Sequence, residues 1–260
     1  MKDIALRTVF DEEAQLYHEI RPHYPEALFN ALTQTIKLPP NAEVLEIGPG
    51  TGQATVLMAM RGYNITAIEL GANMLAVARK DLKQYPNVKI LQGSFEDTNL
   101  PENTFDLVYA ATAFHWVKPE YRFSKTHRIL KSVGYLAIIH TEHMSDSAGD
   151  EFVLASQPIY NRFFSQDELS FRLPRADEIK PWKVDENLFT PILFKLFPLS
   201  ISYTANEYTK LLSTYSPNRA LRPEIREKFL ESIAELINDQ FGGRITKHFA
   251  MTLNLATKKV

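Results

Sequence analysis

One short segment, VLEIGPGTGQAT at residues 44–55, limits what this chain can fold into more than any other part of the sequence. Its apolar run at residues 44–47 predicts a buried strand, and the apolar segment at residues 54–60 predicts a helix. Three glycines spaced by two separate these elements: Gly48, Gly50 and Gly52. Glycine is needed where the chain adopts positive φ and a ligand approaches the backbone closely. Because a helix N-terminus directs free amides at such a ligand, the segment predicts a nucleotide-type cofactor site.

Two common glycine motifs do not fit this turn. The dinucleotide motif G-x-G-x-x-G needs a glycine where Gln53 stands, and the Gly-Lys-Ser/Thr of the phosphate-binding loop does not follow. What remains is an acidic residue, Glu46, two positions before the first of the alternating glycines, which suits a ligand with an amino group. A second acid, Glu69, follows the next apolar run and stands 21 residues after Gly48. A carboxylate there can accept hydrogen bonds from ribose hydroxyls.

Several further segments, spread along most of the chain, resemble a single family. They are EIGPGTG at 46–52, IELGANML at 68–75, GSFED at 93–97, FDLVYAATAFHWV at 105–117 and RILKSVGYLAI at 128–138. The N-terminal segment 14–28 and the segment 208–216 fit the same family, whereas residues 145–190 match it least. Taken together, the chain resembles the class I S-adenosylmethionine-dependent methyltransferases. Within them it is most similar to the small-molecule branch of methyltransferase type 11 and trans-aconitate methyltransferase-like proteins.

The resemblance implies S-adenosyl-L-methionine as the cofactor and a set of residues that bind it. These are Glu46, Gly48, Pro49, Gly50, Gly52, Glu69, Leu70, Met74, Ser94, Phe95, Ala111 and Trp116. The amides of the glycine turn suit the carboxylate of the cofactor, Glu46 its ammonium and Glu69 its ribose. Leu70 and Met74 stand where the family packs adenine. Ser94 departs from the aspartate that the family often has there, so its contact with adenine is expected to be weaker, while the amide of Phe95 remains available.

Three residues are candidates for the reacting end of the site: Tyr17, Arg21 and His115. Tyr17 and Arg21 are four residues apart and share a face if that segment is helical. An aromatic ring and a guanidinium on a flap suit the covering of a sulfonium and the binding of an anionic acceptor. A carboxylate acceptor needs no base, whereas a phenol or an amine needs one, for which His115, His18 and His23 are candidates.

The alternation of apolar runs and helical patterns predicts an α/β fold, a Rossmann-like doubly wound sheet of seven mostly parallel strands with an antiparallel last strand. The expected strands are 43–47, 64–68, 88–92, 105–110, 134–140, 192–203 and 245–256. The expected helices are 53–61, 72–84, 119–130, 205–214 and 222–239. We expect a single domain, residues 1–260, in four parts: a helical flap (1–40), a cofactor-binding half (41–144), a helical cap or lid inserted after the fifth strand (145–190), and a part that completes the sheet (191–260).

The composition narrows the choice of partners and location. The 260 residues carry a formal charge of −2, which gives no reason to expect nucleic acid or an anionic membrane as partner. The chain has no cysteine, no run of 18 apolar residues and no apolar signal segment, so we expect a cytoplasmic protein. The seven histidines lack metal-ligand spacing, so no metal is expected. The basic residues of one helix are interpreted as a solvated face: Arg122, Lys125, Arg128 and Lys131.

These observations favour an enzyme that transfers a methyl group from S-adenosyl-L-methionine to a small molecule, most simply to a carboxylate oxygen by in-line displacement. Three alternatives stay open at this point. The chain could be a silent cofactor-binding protein with a regulatory or scaffold role, or an N- or C-methyltransferase. The third alternative, a nicotinamide-dependent oxidoreductase, conflicts with Gln53. A homodimer is also considered, because the aromatic residues of the cap suit a dimer contact as well as a pocket.

Overall fold

The computed structural model describes residues 9–145, 150–164 and 172–260. Seven strands form one sheet in the order β3-β2-β1-β4-β5-β7-β6. They are β1 Glu43–Ile47, β2 Asn64–Glu69, β3 Val88–Gln92, β4 Phe105–Ala111, β5 Leu130–Met144, β6 Phe189–Thr204 and β7 Arg244–Lys258. The first five strands pair in parallel, and β7 runs antiparallel to both β5 and β6. This confirms the predicted Rossmann-like α/β sheet with an antiparallel last strand.

Nine α-helices lie within the described residues, and the sequence pattern predicted the main ones to within a few residues. They are α1 Ala14–Ile20, α2 Glu26–Ile36, α3 Gln53–Ala59, α4 Ala72–Leu82, α5 Pro119–Ile129, α6 Glu151–Phe163, α7 Ala205–Ser213, α8 Ser216–Arg219 and α9 Pro223–Gln240. A 3₁₀ turn, Val9–Glu13, leads directly into α1. The fifth strand is longer than the predicted 134–140, because β7 pairs with it as far as Met144.

The side chains of each inner strand alternate between two apolar clusters, one on each face of the sheet. On β1, Val44 belongs to the cluster that includes Leu28 and Phe29 of α2. Its neighbour Leu45 belongs to the other cluster, which includes Ile129 of α5. Since both faces are covered, the parallel strands read as continuous apolar runs, which is why their positions could be predicted.

The segment after β5 is helical in only part of its described length. It contains α6 and a 3₁₀ turn, Ala176–Glu178, whereas most of the rest of residues 172–188 is irregular. The remaining residues of the expected cap, 146–149 and 165–171, lie outside the described residues. Helix α6 packs against α9, with the rings of Tyr160 and Phe229 5.1 Å apart. A role of this segment as a lid stays a prediction.

The interpretation of the α5 basic residues as a solvated face is wrong for two of the four. Lys125 is buried, and its Nζ donates to the carbonyls of Glu96 and Thr98 at 2.9 and 2.7 Å. Arg122 donates from Nη2 to the carbonyls of His115 and Val117 at 2.9 and 2.8 Å. Loop carbonyls next to a packed helix need donors, and these two cations supply them.

No helix in the described part of the chain has the length and apolar character needed to cross a membrane.

Candidate active site

A cavity of about 340 Å³ opens at the carboxyl ends of the parallel strands. Its wall comes from the turn after β1, the segments that follow β2, β3 and β4, the end of β5, and residues of the N-terminal flap. In doubly wound sheets, ligands bind at this edge. Of the predicted site residues, all except Glu46 and Gly52 line the cavity.

The glycine turn is shaped for close approach. Gly48, Gly50 and Gly52 have φ angles of 65°, 58° and 88°, as the sequence predicted. A Cβ on Gly48 would lie 2.6 Å from the Cβ of Ala113, whereas a Cβ on Gly50 would meet no atom within 4 Å. The amides of the three glycines are already bonded within the protein, to the carbonyl of Ile68, to Glu69 and to the carbonyl of Pro49. The turn therefore contributes space rather than glycine amide donors.

Glu69 is held with both carboxylate oxygens at defined positions on the cavity wall. Oε1 accepts from the amide of Gly71 and Oε2 from the amide of Gly50, each at 2.8 Å. Burial raises the pKa of the carboxyl, and these two amides oppose the shift. Because each oxygen has a second lone pair, the carboxylate retains the capacity to accept hydrogen bonds from a diol. This arrangement fits the ribose of S-adenosyl-L-methionine.

Glu46 lies beside the glycine turn but does not line the cavity, and only 1% of its surface is exposed. Burial raises the pKa of its carboxyl to about 7, although the nearby hydroxyls of Thr55 and Tyr109 oppose the shift. Neither carboxylate oxygen has a hydrogen bond of normal geometry among the described residues. A nearby cation stabilises the ionised form of such a buried carboxyl, which agrees with a cofactor that carries an ammonium group.

The residues expected around adenine line the same cavity. Leu70, Met74 and Phe95 contribute apolar surface. The hydroxyl of Ser94 is engaged within its own loop, because it donates to Oδ2 of Asp97 at 2.6 Å and accepts from the amide of Asp97 at 3.1 Å. Glu96 does not line the cavity; it is buried, and its Oε1 accepts from the amide of Lys118.

Arg21 is fixed by contacts from both ends of the chain. Its Nε donates to Oγ1 of Thr214 at 2.9 Å, and its Nη2 donates to the carbonyl of Thr214 at 2.8 Å. Its guanidinium carbon lies 4.8 Å from the ring centre of Tyr17 and 4.2 Å from that of Tyr215. Arg21 follows the end of α1 in an extended conformation, as Pro22 requires. Among the described residues that line the cavity, Arg21 is the only lysine or arginine.

Three hydroxyl groups form a chain at the end of β4. The hydroxyl of Thr112 lies 2.9 Å from that of Tyr24 and 3.3 Å from that of Thr141. Thr112 has a φ of 57°, which a β-branched residue adopts only under strain. All three residues line the cavity, and none of them was predicted from the sequence. No pattern in the sequence marks a strained threonine, so this feature requires the structure.

Three histidines also line the cavity: His115, His140 and His143. The ring centres of His115 and His140 are 5.4 Å apart. Burial lowers the pKa of His115 and of His143 to about 4, and it lowers the pKa of His140 as well. The imidazoles are therefore neutral at pH 7 and weak as bases. The other two candidate bases, His18 and His23, do not line the cavity.

The sequence comparisons decide the family. Residues 45–138, which include the glycine turn, Glu69 and the ends of β3 and β4, match a family model described as a methyltransferase domain. The chain is a class I S-adenosylmethionine-dependent methyltransferase. The resemblance stated from the sequence, the enzyme class and the cofactor are thus confirmed, whereas the trans-aconitate subtype is not shown.

The methyltransferase is similar to several curated proteins over much of its length. An uncharacterized methyltransferase-like protein of Schizosaccharomyces pombe is 29% identical over 91% of this chain and 89% of its own length. An uncharacterized methyltransferase of Mycobacterium tuberculosis is 33% identical over 50% of this chain and 51% of its own. A solved structure from Anaeromyxobacter dehalogenans is 19% identical with a TM-score of 0.62, and covers 92% of this chain and 97% of that one. That likeness shows the fold of the methyltransferase alone.

Proposed function

We propose that this methyltransferase transfers a methyl group to a carboxylate oxygen of a small molecule. Bound S-adenosyl-L-methionine supplies a methyl group on a sulfonium, which a nucleophile attacks in line. The protein has to bind the acceptor, orient it and exclude water. The observation that carries the proposal is Arg21, a guanidinium fixed on the cavity wall between two aromatic rings.

The position of Arg21 favours an anionic acceptor. Thr214 engages two of its nitrogens, Nε and Nη2, so the planar group is held in one orientation. A preorganised guanidinium binds a carboxylate with little further loss of side-chain freedom. Two acids, Asp11 and Glu69, also lie on the cavity wall. Both are close to Gly71 and not to the residues that contact Arg21. An acceptor with one negative charge therefore matches the Arg21 part of the wall.

The histidines favour an acceptor that requires no deprotonation. A general base works best when its pKa lies near the operating pH. The pKa of about 4 for His115 and His143 makes both imidazoles poor bases for an ammonium or a phenol. A carboxylate is already a nucleophile at neutral pH. His115 then acts as a neutral contact beside the acceptor, and alignment of the reacting groups supplies much of the rate, on the order of 7–11 kcal/mol in well-oriented systems.

The remaining site residues have roles in binding the cofactor. Glu69 accepts a hydrogen bond from the ribose diol. Glu46, behind the glycine turn, balances the charge of the ammonium. Leu70, Met74 and Phe95 pack against adenine. The loop that carries Ser94 and the amide of Phe95 lies at the edge of the adenine ring. Gly48, Pro49 and Gly50 border the space for the methionine part, with Ala111 and Trp116 on the β4 side. Gly52 lies outside the cavity and allows the turn to form at a φ of 88°. Tyr17 covers the sulfonium end, and Arg21 faces the acceptor.

The division of the chain follows from this assignment. Residues 1–40 form the flap that carries Tyr17 and Arg21, and residues 41–144 form the cofactor half. Residues 145–190 act as a cap, and residues 191–260 complete the sheet and provide the Thr214 and Tyr215 contacts to Arg21.

The test is a turnover assay that measures S-adenosylhomocysteine with a panel of small carboxylic acids, each paired with its primary amide. We expect turnover of acids and none of the matched amides. Arg21→Gln should lower kcat/KM for the acid by roughly a hundredfold while the Kd of S-adenosylhomocysteine stays unchanged. Arg79→Gln, an exposed arginine outside the cavity, is the matched control.

Two results would contradict the proposal. One is turnover of amines or phenols at rates that Arg21→Gln does not change. The other is binding of S-adenosylhomocysteine without turnover of any acceptor class, which would favour a silent cofactor-binding protein.

A further inference from the structure

Asp11, on the 3₁₀ turn before α1, is a further flap residue on the cavity wall, besides Tyr17, Arg21 and Tyr24, and it was not predicted from the sequence. Its Oδ1 accepts a hydrogen bond from the amide of Met74 at 2.8 Å. Met74 is the third residue of α4, far from Asp11 in the sequence. The flap is therefore attached to the cofactor half through this carboxylate.

The contact is specific because α4 lacks an N-terminal cap of its own. The residue before the helix is Gly71, which has no side chain to accept from the first free amides. Asp11 supplies the cap from outside the helix, as an aspartate at the N-cap position normally does. A Cβ at Gly71 would lie 2.5 Å from Oδ1 of Asp11, so the close approach depends on glycine.

Asp11 also lies next to the carboxylate expected to bind ribose. Gly71 donates its amide to Oε1 of Glu69, and the same glycine is in contact with Asp11. The carboxylates of Asp11 and Glu69 repel each other unless hydrogen-bond donors or a cation lie close to both. A ribose diol offers two hydroxyl donors, which matches two carboxylates.

We propose that Asp11 is the second carboxylate of the cofactor site and accepts a hydrogen bond from the adenosine part of the bound cofactor, beside Glu69. The flap continues without a break from Asp11 through α1 to Arg21. Occupation of the adenosine site thus stabilises the flap in the position that sets Arg21 on the acceptor side.

The experiment uses S-adenosylhomocysteine alone, so it does not depend on the identity of the acceptor. Calorimetric titration compares the wild type with Asp11→Asn, Asp11→Ala and the control Glu12→Gln. Glu12 lies on the same turn and pairs with Arg219, but it does not line the cavity. Asparagine keeps the acceptor for the Met74 amide and removes the charge, which guards against a variant that fails to fold.

We expect Asp11→Ala to weaken binding at least tenfold, Asp11→Asn to weaken it by about threefold or more, and Glu12→Gln to change it by less than about twofold. The 2′-deoxy analogue of S-adenosylhomocysteine, or the 3′-deoxy analogue, should show a smaller loss in Asp11→Ala than the parent ligand does. Hydrogen exchange of residues 9–21 should slow when S-adenosylhomocysteine binds to the wild type, and not when it binds to Asp11→Ala.

Equal affinities of the wild type and folded Asp11 variants would overturn the proposal, as would an equal loss in Glu12→Gln. Either result leaves the assignment of Arg21 untouched, because that assignment is tested by acceptor kinetics.

Discussion

The guanidinium carbon of Arg21 lies 4.2 Å from the ring centre of Tyr215, although the two residues come from opposite ends of the chain. Burial raises the pKa of the Tyr215 hydroxyl to about 12, so the ring is a neutral phenol at pH 7 and its face attracts the cation. The contact joins the N-terminal flap to the segment after α7 at the cavity.

Replacement of Tyr215 tests the value of this contact. Tyr215→Phe keeps the ring face and should leave acceptor KM within about twofold of the wild type. Tyr215→Leu removes the ring and should raise KM roughly three- to tenfold, since cation–π contacts contribute about 0.5–2 kcal/mol. Steady-state kinetics with the acid acceptor measures both, and equal KM values for the two variants would show that the ring face contributes nothing.

Thr112 should show the cost of its strained backbone in unfolding experiments. Thr112→Ser keeps the hydroxyl that contacts Tyr24 and Thr141 and removes the β-branch, so we expect a gain of about 0.5 kcal/mol in the free energy of unfolding. The control is Thr141→Ser, the same change at a strand position without positive φ, and it should destabilise slightly. Urea denaturation decides the sign, and a loss in both variants would mean that the β-branch at position 112 carries no strain.

Glu46 should make stability depend on pH. The folded pKa of about 7 lies above the ordinary value of 4.5, so the folded state binds the proton more tightly than the unfolded state. The wild type should therefore lose up to about 3 kcal/mol as the pH rises from 4.5 through 7. Glu46→Gln should remove this loss, so that its stability relative to the wild type is greater at pH 8 than at pH 5. A stability difference that stays constant with pH would argue against the shift.

Lys247 and Asp150 form a buried ion pair that holds the start of α6 against β7. Asp150 also caps α6, because its Oδ1 accepts from the amide of Val153 at 2.9 Å. Lys247→Met leaves a buried carboxylate without its partner and should cost about 3–5 kcal/mol. Lys247→Met with Asp150→Asn keeps the cap and removes the charge, so it should recover much of that loss in thermal and urea unfolding. No recovery would assign the cost to packing of the lysine stem instead.

The sequence predicted the sheet well because its signals are local. The runs at β1 and β2 are apolar on both faces, which is typical of buried parallel strands. The closely spaced glycines between β1 and α3 indicate a tight turn between a strand and a helix. The cofactor half of the site follows from the same rule, since Glu69 and Met74 stand at strand ends and helix starts that the pattern places at one edge.

The rest of the site depends on contacts between distant segments, which no local pattern records. Three such contacts form only after the flap has folded over the sheet. They join Asp11 to Met74, Tyr24 to Thr112, and Arg21 to Tyr215. Lys125 was wrongly predicted to be exposed for a related reason. Basic residues on a helix are usually exposed, and this one is buried because loop carbonyls packed against the helix need a donor.

The place of β7 in the sheet has a consequence for the order of assembly. β7 completes the pairing of β5 and, within the described residues, is the only strand bonded to β6. It lies far from β5 along the chain, with Tyr135 opposite Thr257. Pairings over such separations form slowly. Until β7 arrives, an early folding species presents the open edge of β5 to other chains. We therefore expect the yield of refolding to fall with protein concentration, through association at that edge, while the cofactor half is already formed.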